Sequence, residues 1–537
     1  MALVMMHSEW RYKSKHLKKI MDVDYEACSE KGNKLTDCQK KELAMHLLSI
    51  AMEVLVAENA TQDERETAQK VLFLVNRNLL LYLQGHIRAK VNILHAAYLC
   101  KKLAEKETFS LAHQMSSSLG SLYGLPHGHA QLLCMREILQ HLISDTENSD
   151  KQSAQLSESC EPLNVLCRCF SLNQRCQIPR QLNFIMKILR LSVPTLREET
   201  DVNTLVTAID YDKPYSVPFV VDRQTVEQLY TRVLDDTDTE VFATDPDSYT
   251  RQLQLYALEI LIRTDLFCRE HNLTYYLGEG TLLGAVRHGG FIPWDDDVDI
   301  LMPREDYNKF VRLCAEGKLP PELHFDALEN NPRHWVLGAK VQITTPTRFN
   351  QPKVATLSPY SGPYIDIFPL DYVPEEYSYK QAFQDKQVKV CRRLLFMKTG
   401  YSNKMKKKIL RVFFQLGSFF ITNRFVQKYA IRQMTKYHDS DHKYLVNLCS
   451  YYPAKKETFL KDSFGEPRLV PFEGFWLPVP HDYDYILRKI YGKNYAGIPP
   501  VDVIGSRKHQ FEIKEQFTGE TDVCKNLESL KRFCEEA

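Results

Sequence analysis

One stretch constrains this chain more than any other. From Tyr275 to Met302 it reads Tyr-Tyr-Leu-Gly-Glu-Gly-Thr-Leu-Leu-Gly-Ala-Val-Arg-His-Gly-Gly-Phe-Ile-Pro-Trp-Asp-Asp-Asp-Val-Asp-Ile-Leu-Met. Asp297, Val298 and Asp299 lead into an apolar strand, and alternation puts the two acids on one face and Val298 on the other. Two carboxylates side by side repel unless a cation lies between them. Hard oxygen ligands favour Mg²⁺ or Mn²⁺, ions that keep open positions for substrate phosphates. Upstream, Gly278, Gly280 and Gly284 permit close backbone approach. A helix from Thr281 to Arg287 would aim its first N–H groups at an anion. A further acid, Asp366, lies in a second strand-like run, Tyr-Ile-Asp-Ile-Phe-Pro-Leu-Asp. An Asp-x-Asp alone reads as a solvated turn. Joined to a strand, a Gly-x-Gly and another strand aspartate, it reads as a metal and phosphate site.

The rest of the chain divides in two. At ~150 residues per domain, 537 residues allow two to four domains. Residues 38 to 200 carry apolar side chains at helical spacing, as in Leu43, Leu47, Met52 and Leu55, then Val71, Leu72, Val75 and Leu79. Residues 119 to 126 read as a loop between helices, and 144 to 159 as a polar surface loop. The acidic, aperiodic run from Asp235 to Ser248 is the expected boundary. Beyond it come a helix over 250–271, strands over 273–277, 298–302 and 364–368, and helical spacing again from about 378 to 435. The pattern predicts a multidomain chain: an all-α helical domain over 1–235, a linker over 236–248 and an α+β domain over 249–537.

Four motifs of the second region resemble the LicD family, which includes bacterial phosphocholine transferases and the fukutin group. They are Leu-Gly-Glu-Gly-Thr-Leu-Leu-Gly-Ala, Trp-Asp-Asp-Asp-Val-Asp-Ile, Asp-Ile-Phe-Pro-Leu-Asp and Tyr-Gly-Lys-Asn-Tyr, within about residues 250 to 515. The resemblance implies a nucleotidyltransferase-type fold. It implies divalent metal and transfer of a phospho-alcohol from a CDP-activated donor to a glycan or glycolipid hydroxyl. It also makes Asp297 and Asp299 the metal pair, Asp366 a third acid serving as ligand or general base, and Gly280 and Thr281 the phosphate-cradling turn. Arg287, His288 and Lys340 are the candidates for offsetting the donor pyrophosphate.

In the first region, Glu42 and His46 lie four apart in a helical pattern, so they share a face. His113 and His127 follow, separated across a glycine-containing turn. A carboxylate with imidazoles suits Fe²⁺ or Zn²⁺. The surrounding Ala-His-Gln-Met-Ser-Ser-Ser-Leu-Gly-Ser-Leu-Tyr-Gly-Leu-Pro-His-Gly-His-Ala resembles the metal-binding half of group III iron-containing alcohol dehydrogenases, over about residues 38 to 235. Glu42 stands where that family has aspartate, and Ser117 where it usually has another histidine. No Gly-rich dinucleotide loop precedes residue 38, so no NAD is expected. The resemblance makes Glu42, His46, His113 and His127 candidate ligands of Fe²⁺ or Zn²⁺, and the departures from it make the domain a relic, a structural platform or a truncated gene rather than a working dehydrogenase; the alternative is an oxidoreductase acting through this domain. A non-catalytic scaffold in glycan assembly is a third reading.

Charge narrows the partners. The 69 basic and 68 acidic residues leave a net charge of +1, which gives no general nucleic-acid-binding surface. The 14 cysteines are too sparse for a disulfide framework and read as reduced thiols, including the group at Cys160, Cys167, Cys169 and Cys176. With no signal-peptide pattern and no apolar window of ~20 residues, the expected compartment is the cytoplasm. A basic-then-aromatic run from Lys404 to Ile421 suggests peripheral contact with a membrane surface.

Overall fold

A computed structural model describes residues 36–104, 110–150, 161–191, 200–234, 248–350, 358–398, 422–438, 442–501, 512–513 and 522–536. The chain divides into two compact units: Met1–Thr244 with Ala496–Ser506, and Asp245–Tyr495 with Arg507–Ala537. The expected linker at 236–248, apart from Ser248, and the run at 404–421 lie outside the described residues.

The first unit is helical. It comprises α1 (Asp37–Val56), α2 (Gln62–Leu83), α3 (Ile87–Ala104), α4 (Leu111–Tyr123), α5 (His127–Asp150), α6 (Glu161–Phe170), α7 (Gln177–Ile188), α8 (Thr200–Thr207) and α9 (Arg223–Leu234). Thr36 and Thr61 open α1 and α2 with capping boxes completed by Gln39 and Glu64. The periodic apolar residues Leu43, Leu47, Met52, Val71, Leu72 and Leu79 are all fully buried, as their spacing requires. Helix α5 continues to Asp150, through the start of the segment expected to be a loop from 144. Polar residues on the outer side of a helix do not end it without a breaker.

One correction concerns the second domain's extent. Residues 496–501, expected in the 249–537 domain, pack with the first unit. The Ile498 N–H donates to the Asn76 carbonyl at 3.0 Å. The fully buried Gln181 accepts from the Val501 N–H at 2.8 Å and donates to the Pro499 carbonyl at 3.1 Å. One side chain thus satisfies backbone groups on both sides of Pro500. Gln181→Ala should lower the first unit's stability by about 1–3 kcal/mol, because two buried backbone groups lose their partner. Urea denaturation with hydrogen exchange over residues 496–501 reads this. Unchanged protection there would refute the strapping role.

The second unit begins with α10 (Tyr249–Glu270), capped by Ser248, followed by β1 (Tyr276–Leu277), α11 (Glu279–His288), β2 (Asp299–Pro303) and α12 (Arg304–Ala315). Next come β3 (Leu323–Asp326), β4 (Ala339–Ile343), β5 (Phe349–Asn350), β6 (Tyr364–Val373), α13 (Tyr379–Lys398) and α14 (Asn423–Met434). The remainder is β7 (Tyr444–Val446), β8 (Thr458–Leu460), β9 (Arg468–Phe472), β10 (Phe475–Val479), α15 (Tyr483–Tyr491), β11 (Glu512–Ile513) and α16 (Val523–Glu536). The main sheet runs β1-β2-β6-β4-β3, and β7 and β8 extend it from β6. β2 and β6 are parallel; the other pairs in this sheet are antiparallel. β6 is buried along nearly its whole length, so its two acids, Asp366 and Asp371, both take cationic partners. At its far end Asp371 takes two hydrogen bonds from the fully buried Arg304, at 2.7 and 2.8 Å. The chain is therefore a helical region followed by a mixed α/β region.

Candidate active site

The site forms where β1, α11, the loop before β2, and β6 meet. The Gly278 N–H donates to the Asp299 carbonyl at 2.9 Å, joining the start of α11 to β2. Thr281, buried in the first turn, accepts the Asp299 N–H on its hydroxyl at 2.8 Å. A Cβ on Gly280 would lie 2.7 Å from Asp295 Oδ2. Glycine is needed here because a carboxylate fills the place of a side chain. Both residues expected at a phosphate turn thus have partners in the acid cluster. Helix α11 starts two residues earlier than expected, at Glu279, whose φ of 41° is a left-handed value that costs a non-glycine residue about 1–2 kcal/mol. Its Oε1 accepts from Asn447 Nδ2 at 3.0 Å.

Carboxylate oxygens of Asp295, Asp296 and Asp297 lie within 4.8 Å of one another, the one such acid, histidine or cysteine group among the described residues. The strand starts at Asp299, later than expected, so Asp297 precedes it and pairs with Asp295 instead of alternating along the strand. Gln254 holds the bend by donating to the carbonyls of Asp295 at 2.7 Å and Ile292 at 3.3 Å. Burial pushes the Asp295 carboxyl well up, and Asp297 adds to this by charge and by a hydrogen bond; Arg287 partly offsets the rise. Asp299 is likewise raised by burial, then by Asp297, Glu279, Asp366 and Asp295. Those named neighbours show that one field joins five carboxylates.

Register brings in the third acid. Asp366 is the neighbour of Asp299 across the parallel β2–β6 pair, and of Lys340 across the antiparallel β4–β6 pair. Lys340 Nζ is 2.8 Å from Asp366 Oδ1 and 3.3 Å from the Tyr364 ring centroid. Arg287 is buried. It donates to the Tyr495 carbonyl at 3.2 Å, and burial draws its guanidinium down to about 10. His288 is pushed well below its usual range by burial and by Arg287. The two side chains meet at 3.4 Å, and the His288 ring lies edge-on to Trp294. Tyr491, from the C-terminal Tyr-Gly-Lys-Asn-Tyr motif, feels Glu279 and Asp295 as well. Sequence reasoning passed over Asp295, Asp296, Glu279 and Asn447 as site residues. The first two were visible in the acid run and Glu279 between its glycines; Asn447 had no local signal.

In the first unit, α1, α4 and α5 bring the rings of His46 and His113 beside that of His127, but Glu42 and these three are not a group whose ligand atoms all lie within 4.8 Å of one another. His127 Nε2 is 3.3 Å from His113 Nδ1, and the His46 and His127 ring centroids are 5.8 Å apart. The Gly128 N–H donates to Glu42 Oε1 at 2.6 Å, while Glu42 Oε2 and His46 Nδ1 are buried without a hydrogen-bond partner. Burial holds His46 and His113 down at about 4, so both are neutral near pH 7, the form that binds a metal. Of the cysteine group, Cys167 and Cys169 are buried and Cys176 is exposed. Cys160 lies outside the described residues.

Comparison with known proteins follows the same division. Residues 272–397 match the family model for the LicD/FKTN/FKRP nucleotidyltransferase domain, and residues 43–230 match that for the C-terminal part of the Fe-containing alcohol dehydrogenase family. The lipopolysaccharide cholinephosphotransferase LicD of Haemophilus influenzae is 26% identical over 257 residues, covering 47% of this chain and 92% of that protein. An iron-containing alcohol dehydrogenase structure from Thermococcus thioreducens is 16% identical, covering 37% of this chain and 52% of that one, with a TM-score of 0.32. A sulfoacetaldehyde reductase from Bifidobacterium kashiwanohense, solved with NAD⁺, is 13% identical, covering 38% and 52%, with a TM-score of 0.33. The chain spans about half the length of these dehydrogenase structures. It carries a LicD domain, preceded by a region similar to the C-terminal part of iron-containing alcohol dehydrogenases.

Proposed function

We propose that the second unit is a divalent-metal-dependent transferase that moves a phospho-alcohol from a CDP-activated donor to a glycan or glycolipid hydroxyl. The observation that carries this reading is the register of Asp299 against Asp366, with Asp295 and Asp297 beside them. A solvated acidic turn would not bury its acids at a strand junction. The repulsion among these acids, which Arg287 offsets only in part, fits a hard cation, and Asp295, Asp297 and Asp299 would hold Mg²⁺ or Mn²⁺. Bound there, the ion would offset charge on the donor's pyrophosphate.

The chain's own groups do the rest. Asp366 takes the proton of the acceptor hydroxyl. That oxygen bonds to the phosphorus bearing the alcohol, the bond from this phosphorus to CMP breaks, and CMP leaves. Lys340, paired with Asp366, sets the direction of that carboxylate. Thr281 fixes the backbone of Asp299, and Asn447 fixes Glu279. The transferred group is phosphocholine-like, ribitol-phosphate-like or a phosphonate headgroup. A panel of CDP-alcohols, assayed for CMP release with and without acceptor glycans, tests the reading. One donor should support acceptor-stimulated release with Mg²⁺ or Mn²⁺. No release from any CDP-alcohol under these conditions would return the domain to a scaffold.

The first unit supports a second, separate reading. Its orphaned Glu42 Oε2 and His46 Nδ1 fit a metal, and Glu42, His46, His113 and His127 would hold Fe²⁺ or Zn²⁺. We read it as metal-holding and not as a dehydrogenase. Among the described residues no helix is long and apolar enough to cross a membrane.

A further inference from the structure

Helices α13 and α14 each carry an exposed side that neither the sheet nor the acid cluster uses. α13 buries Gln381, Gln384, Val388, Cys391 and Leu395 in one helical stripe. On its opposite side Tyr379, Phe383 and Val390 are 97%, 62% and 43% exposed, interleaved with exposed Lys380, Lys386 and Arg393. α14 is fastened to α13 through polar contacts. Gln384 Nε2 donates to the Gln433 carbonyl at 2.6 Å, and Gln387 Nε2 to the Tyr429 hydroxyl at 2.8 Å. The outward row of α14 is Arg424, Lys428 and Arg432, spaced four apart, with Phe425 63% exposed beside them.

Charge on this pair of helices is one-sided. Asp385 is the one acid in either helix, and Lys389 neutralises it at 2.8 Å. Glu375 and Glu376 precede α13, and Glu376 is taken by Lys489 at 2.6 Å. A single exposed aromatic needs no explanation. Aromatics and a valine set among cations that have no ion pair among the described residues need one, because the two kinds of side chain seek different surroundings. A bilayer interface supplies both, with acyl and headgroup depth for the apolar groups and phosphates for the cations. A nucleic-acid backbone would use the cations but give Val390 nothing to enter.

We infer that the α13–α14 face docks on a bilayer surface containing anionic phospholipid. This holds whatever reaction the acid cluster performs. The test uses the full chain in flotation with vesicles of phosphatidylcholine alone or mixed with phosphatidylserine. The protein should float with the mixed vesicles and not with the neutral ones. Raising salt from about 0.1 M to about 0.5 M should release it, as the Debye length shortens. Each cation removed should cost about fivefold in partitioning, so Lys428→Gln with Arg432→Gln should lower it about 25-fold. Phe383→Ser with Phe425→Ser should weaken binding while keeping its salt dependence. Circular dichroism checks that each variant is folded. Equal binding to neutral vesicles, no binding to either, unchanged binding by the folded double-cation variant, or preference for a single-stranded oligonucleotide would each overturn the inference.

Discussion

Asp297→Asn should remove transfer by on the order of 10³-fold or more while leaving the metal-free protein as stable as before, or more so. Two separate effects lie behind this expectation. In activity, the variant loses one charged oxygen from the set that would hold the cation, and with it the means of offsetting the donor's pyrophosphate. In stability, Asp297 is a named cause of the raised Asp295 and Asp299 carboxyls, so its charge is a cost that the folded chain bears. The sign can be worked out. A carboxyl whose folded value is raised binds its proton more tightly folded than unfolded, so its contribution to stability falls as pH rises above the ordinary carboxylate range. The variant softens that fall. Its melting temperature should therefore gain most on wild type at alkaline pH, and least in acid, where the acids are protonated in both states. Thermal melts across pH, beside CMP-release assays in excess Mg²⁺ or Mn²⁺, read the two effects separately. Normal turnover would sink the role given to Asp297. Lost turnover with a fall in melting temperature at every pH would make its role structural.

Residue identity and spacing carried much of this site. The acid run, the strand aspartate in Tyr-Ile-Asp-Ile and the glycine-rich start of α11 were all legible, because each is a local pattern. Partner assignments were not. Alternation paired Asp297 with Asp299, yet β2 starts only at Asp299, and the chain ahead of it bends under the hold of Gln254. Lys340 was legible as a cation but not as the partner of Asp366, since that pairing depends on β4 lying beside β6. Arg287 was legible as a cation near the motif, but its hydrogen bond to the Tyr495 carbonyl, 208 residues away, was invisible locally. The helices of the first unit were readable from the periodicity of their apolar residues. The Ala-Gly-Ile-Pro-Pro-Val strap was not, because its structure comes from Asn76 and Gln181 rather than from its own residues.

Metal binding in the first unit should survive loss of the acid cluster, and nicotinamide chemistry should be absent. The chain carrying Asp297→Asn and Asp299→Asn, stripped of metal, should take up Co²⁺ with the visible absorption of nitrogen ligation. Adding His46→Ala should weaken that uptake by on the order of 100-fold or more, since removing a ligand costs at least as much as disturbing the groups around one. His46 and His113 are already neutral and buried, so they need lose no proton to bind, while burial raises the Glu42 carboxyl and makes it the group whose proton a metal would displace. Hydride transfer asks for something further: a nicotinamide held within reach of the substrate. Doubly wound sheets bind dinucleotides at strand-to-helix turns, and the described residues of the first unit contain helices and no strand. Ser117, with its hydroxyl bonded to the His113 carbonyl at 3.0 Å, offers no imidazole where the related dehydrogenases usually have one. The full chain loaded with Fe²⁺ or Zn²⁺ under anaerobic conditions should therefore oxidise neither NADH nor NADPH with any small aldehyde, and calorimetry should find no saturable cofactor binding. Aldehyde-dependent oxidation with saturable binding would make the first unit a second enzyme. Co²⁺ uptake unaffected by His46→Ala would place the metal elsewhere.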